Sequence, residues 1–139
     1  MKQIIYFAFA SIAITACQKE EMVDEHNHDH SSNEPISITF NSPNENETFN
    51  FNEEVSVSGW ISRNGQIHGY TVELINQSNQ DSVLYSHDVH DHGSEMEFSD
   101  LWTNNLQDTS SVLIRITAFG DHEASTSEIA TRLITCNGQ

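Results

Sequence analysis

The sequence predicts an all-β domain, an antiparallel sandwich of about seven strands, behind an N-terminal leader and a polar tether. Three observations carry that expectation. From residue 36 onward apolar side chains recur with a period of two, not 3.6, as in a strand with one buried face. Clusters of Asn, Asp, Ser and Gly interrupt the alternation at short intervals, where turns belong. Before Pro35 the alternation is missing: residues 18–34 are acidic and His-rich with almost no aromatics, a composition that reads as a disordered tether.

Residues 36–40 form the first strand, and the turn-rich Ser42-Pro43-Asn44-Glu45-Asn46-Glu47 leads to a short edge piece at 48–51. In the next strand, 55–61, Val55, Val57 and Gly59 share one face, with Trp60 on the other or at a bulge. Asn64-Gly65 predicts a type I′ hairpin into strand 67–75, where Tyr70, Val72 and Leu74 share a face. Strands at 82–86 and 96–101 follow, with Trp102 beyond the second. Val112, Ile114, Ile116 and Ala118 alternate along the penultimate strand, Gly120-Asp121 opens a loop, and 128–135 completes the set. Trp60, Trp102 and Tyr70 are expected in the core, because sandwich strands need large apolar side chains there.

Antiparallel strands of this number, length and spacing resemble an immunoglobulin-like β-sandwich. The Ser42-Pro43 turn, the segment 49–54 and the Val-x-Val-x-Gly strand resemble bacterial Ig-like surface modules over most of residues 35–136. That resemblance implies a fold and no chemistry. The cysteine pair flanking a buried tryptophan, typical of antibody domains, is absent from the sequence.

The leader has its own logic. Lys2 supplies a positive start, residues 4–16 are an apolar run too short to span a bilayer with its flanks, and small residues precede Cys17. Ile14-Thr15-Ala16-Cys17 resembles the lipobox of bacterial lipoproteins, which implies removal of residues 1–16 and lipidation of Cys17. More than one acyl chain gives stable membrane anchoring. Gln18-Lys19-Glu20-Glu21 resembles the export signal of Bacteroidetes-type surface lipoproteins and implies the outer membrane, facing the medium, with the periplasmic face as the alternative. The chain thus divides into a signal peptide (1–16), a lipidated acidic tether (17–34) and a β domain (35–136). The seventeen residues 18–34 that follow the lipidated cysteine span about 20–25 Å on average and about 60 Å when stretched, enough to clear the lipid headgroups.

Without Lys2, the basic residues Lys19, Arg63, Arg115 and Arg132 face 21 acidic ones, a net charge of −17. Such a surface excludes nucleic acid as a partner and concentrates cations around it. With Cys17 acylated, Cys136 has no intrachain partner, so the domain rests on its core.

Histidine carries the functional signal. Eight are present: three in Glu25-His26-Asn27-His28-Asp29-His30, three in His87-Asp88-Val89-His90-Asp91-His92, and His68 and His122. Imidazole ligates zinc, nickel and copper(II), and neighbouring carboxylates bind a metal or orient the ring. In an Ig-like sandwich the loops holding His68, His87, His90, His92 and His122 gather at one end, as does the start of the first strand, a few residues after His30. His87, His90 and His92 are the leading candidate ligands, joined by His68 and His122, with His26, His28 and His30 as a secondary collecting set. Cys136 falls at the other pole and is excluded from the site.

Nitrogen ligands with carboxylates, and no Met or Cys pair, favour zinc, with nickel or copper(II) as alternatives, and exclude copper(I) and iron–sulfur chemistry. No Asp-x-Asp-x-Asp-Gly calcium loop occurs. His122-Glu123-Ala124-Ser125-Thr126 lacks the second histidine of a zinc-protease helix, and no Gly-x-Ser-x-Gly elbow exists, so no enzyme is expected. The sequence therefore reads as a surface lipoprotein that binds transition metal for scavenging, buffering or delivery to an outer-membrane transporter. The alternative is a non-catalytic adhesion or accessory module of a surface uptake complex.

Overall fold

A computed structural model describes residues 34–139. Among the described residues eight strands succeed one another without a helix: β1 (Ser37–Ser42), β2 (Thr48–Phe49), β3 (Glu54–Ile67), β4 (Tyr70–Asn76), β5 (Ser82–Val89), β6 (Gly93–Thr103), β7 (Ser110–Phe119) and β8 (Ser127–Cys136). They form a three-stranded sheet, β1-β3-β6, and a five-stranded sheet, β2-β8-β7-β4-β5. Every neighbour pair is antiparallel except β2 with β8. The all-β, Ig-like sandwich expected from the alternation is the observed fold, and the edge piece at 48–51 shrinks to the two-residue β2.

The period of two explains the packing. Val55, Val57, Ile61 and Phe98 from one sheet, and Val72, Leu74, Val112, Ile114, Ile116 and Ile134 from the other, are fully shielded from solvent. Each such side chain contributes roughly 1.5–3 kcal/mol by leaving water. Gly59 is one place where only glycine fits, since a Cβ there would run into the Thr39 carbonyl and the Phe98 ring.

Two expectations need correction. Asn64-Gly65 does not turn the chain: β3 runs through it to Ile67, and the register against β6 shifts between Ser62 and Ile67. A type I′ turn needs positive φ at both central residues. Here only Gly65 has it, at 145°, so the pair makes a bulge instead. The chain changes sheet after Ile67, through His68 and Gly69 (φ 121°), and enters β4 between β5 and β7. The second correction concerns the aromatics. Tyr70 is buried and Trp102 packs partly against the core, but Trp60 points outward and is 47% exposed. Strict alternation from Val57, Gly59 and Ile61 leaves it no other face.

The poles of the sandwich are tied differently. At the end where β7 starts and β8 stops, the buried Asn104 side chain donates to the carbonyls of Asn50 (3.0 Å) and Asn137 (2.9 Å) and accepts from the Leu106 N–H (3.2 Å). Cys136 is buried at this end, and burial pushes its thiol pKa up to about 11. At the other end Arg63, also buried, donates to the carbonyls of Glu34 (2.9 Å), Gln66 (3.1 Å) and Gly120 (3.0 Å).

Candidate metal centre

Register alone assembles the histidines. Tyr70 pairs with Val89 on one side and Ala118 on the other, while Ile67 pairs with Gly93. His68 therefore sits between two residues whose partners Gly93 and Val89 bracket the link 90–92, while the other partner of Tyr70, Ala118, leads into the β7–β8 loop. Backbone bonds pin the crossing: the His68 N–H donates to Phe119 (2.7 Å), and the Phe119 N–H donates to Gly69 (3.0 Å). Gly69 itself lies so close to the Val89 carbonyl that a Cβ has no room.

His122 owes its position to Asp121. One Asp121 oxygen accepts the N–H groups of Glu123 (3.0 Å) and Ser125 (2.9 Å), and the other accepts the Ser125 hydroxyl (2.9 Å) and the Thr126 N–H (2.8 Å). Burial alone raises the pKa of this carboxyl, but the Ser125 and Thr126 hydrogen bonds outweigh it and hold the group well below the usual carboxylate range. Gly120, next to it, closes the loop by donating to Thr126 (2.7 Å) while Arg63 binds its carbonyl.

Four imidazoles meet. Ring centroids lie 4.4 Å apart for His68 and His122, 4.8 Å for His68 and His92, and 5.3 Å for His92 and His122. His90 stands 5.1 Å from His92 and 5.6 Å from His122. In His68, His92 and His122 one ligand atom each lies within 4.8 Å of the others, a grouping that can hold a metal ion. A tetrahedral zinc with bonds of about 2.0–2.1 Å sets nitrogens about 3.3 Å apart, inside the 4.8 Å that bounds this group. His68 is the inner member: its Nδ1 is buried with no hydrogen-bond partner. Its pKa is lowered first by burial and then by His122 and His92, against an opposing pull from Asp121. Neutral imidazole is the form that binds metal.

The remaining candidates lie elsewhere. His87 falls within β5, not in the loop, with its partner Val72 across the ladder. Its Nδ1 is 2.7 Å from the Asp100 carboxylate, which also accepts the Tyr85 hydroxyl at 2.6 Å. That bond, with burial, pushes the Tyr85 pKa up to about 12. His87 is three residues from His90, so the alternation that turns it toward Asp100 separates it from the four-ring group. Cys17, His26, His28 and His30 lie outside the described residues, but the chain enters the domain at this pole, where Arg63 holds the Glu34 carbonyl. Arg63 and Asp121 are the parts that sequence reasoning missed. Asp121, followed by Ser125 and Thr126, carries a loop-capping signal; Arg63 carries none.

The chain is thus an Ig-like β-sandwich with four clustered histidines at one pole. Compared with known proteins, it matches no family model and no curated protein.

Proposed function

We propose that the protein is a lipoprotein of the outer membrane, anchored through Cys17 and facing the medium, that binds transition-metal ions without catalysis. Zinc is the leading ion, with nickel and copper(II) as alternatives, and the role is scavenging, buffering or delivery to an outer-membrane transporter. The observation that carries this reading is the approach of His68, His92 and His122 to within 4.8 Å of one another. The unpartnered Nδ1 of His68 supports it, since a buried nitrogen lone pair left bare is costly unless something binds there. The acidic surface supports it by drawing cations. The tether histidines His26, His28 and His30 act as a secondary collecting set.

Calorimetry on the full-length chain in detergent, at pH 7.5, tests the proposal. Zinc, nickel or copper(II) is expected to bind tighter than about millimolar, a free energy beyond about −4 kcal/mol. Binding at the pole should persist when His26, His28 and His30 are changed to Ala and vanish when His68, His92 and His122 are changed as well. A chain silent toward all three ions ends the metal reading. The second reading, a non-catalytic adhesion or accessory module, is favoured by one observation, the outward Trp60 on the three-stranded sheet.

A further inference from the structure

We infer that His90 is the fourth ligand of the pole, so that an ion there sits in a closed shell of four imidazoles from His68, His90, His92 and His122. This rests on the metal reading above and adds the composition of the shell. The distances of His90 to His92 and His122, 5.1 and 5.6 Å, are close to the 4.4–5.3 Å among the other three rings. His90 and His92 lie two residues apart in one short link, with their rings 5.1 Å apart. That link has only three residues, 90–92, between β5 and β6, and both its ends are held in ladders. His90 is exposed at the rim, where it can close over an ion seated on the inner His68.

Three nearby carboxylates already hold partners of their own. Asp121 spends both oxygens on four donors of its own loop. Asp91 accepts the His92 N–H at 2.7 Å. Asp100, the acid nearest the other histidine of the second cluster, is bound to His87 and Tyr85. A fourth imidazole is a donor at hand, and with it the shell is imidazole nitrogen throughout. Such a shell suits zinc, copper(II) or nickel over magnesium or calcium, which require oxygen. It also leaves no open coordination position at which water is activated, so the ion is held and handed on, not used for hydrolysis.

Cobalt(II), whose visible spectrum reports coordination, distinguishes the outcomes in the full-length chain in detergent with His26, His28 and His30 changed to Ala. The parent should give a four-coordinate spectrum indifferent to added imidazole. His90→Ala should bind zinc at least about tenfold to a hundredfold more weakly, the loss that even outer partners of metal ligands cause. Its cobalt spectrum should change and should respond to added imidazole filling the vacated position. His87→Ala should match the parent in both respects. A His90→Ala protein with the parent's spectrum and affinity overturns the fourth-ligand assignment while leaving the three-histidine site standing. A parent that binds neither cobalt nor zinc overturns the metal reading itself, and this inference with it.

Discussion

At the scale of single residues, His68 is where burial and function meet. Its folded pKa lies below the ordinary 6.5, because burial and the neighbouring His122 and His92 disfavour the cation. The unfolded chain therefore takes up this proton at a higher pH than the folded one, and stability falls as pH drops from about 6.5 toward the lowered value. Above 6.5 both states are neutral and the contribution is level. Thermal unfolding of the metal-free protein between pH 8 and pH 5 should show this loss, and His68→Asn, a neutral polar replacement, should flatten it. An identical pH profile in the two proteins rules out His68 as its source. The pH dependence was foreseeable from histidine alone, but the lowered value was not, since it comes first from burial and then from three other rings separated from His68 by more than twenty residues of chain.

At the scale of elements, the strands were legible and their partners less so. Val112, Ile114, Ile116 and Ala118 alternate so regularly that β7 is visible in the sequence, and it is buried as expected. Asn64-Gly65 misled because composition permits a hairpin without compelling one: with Gly65 alone at positive φ, the pair bulges β3 and delays the crossing to Gly69. That delay is what places His68 in the crossing itself. His87 was misplaced for a related reason, since β5 extends to Val89, beyond the expected end at residue 86. Asn104 shows a role that no local pattern announces. It is a polar residue with no exposure that joins the β6–β7 loop to Asn50 and Asn137. Replacing Asn104 by Ala removes both of these bonds, leaving Asn50 only its Glu53 donor, and should cost about 1–3 kcal/mol in denaturant unfolding. The exposed neighbour Asn105→Ala should stay within about 0.5 kcal/mol of the parent. Equal effects from the two would refute the assigned role of Asn104.

For the whole molecule, the site draws on both sheets: His90 and His92 lie on the link from the five-stranded to the three-stranded sheet, His68 on the return crossing, and His122 between β7 and β8. An ion bound there selects the folded state, and at a free concentration a hundred times Kd it adds about 2.7 kcal/mol of stability. Zinc should therefore raise the melting temperature of the full-length chain, reversibly with a chelator, whereas calcium at equal concentration should not. A calcium shift as large as the zinc shift would point to the acidic surface as the binding element. Arg63 has a mechanical corollary. Residue 34 is held at the histidine pole, while residue 139, hydrogen-bonded to Gln107, lies at the far one. Tension between those ends runs lengthwise along β1 and β8, so their ladders are loaded in shear and many bonds must rupture together instead of peeling one by one.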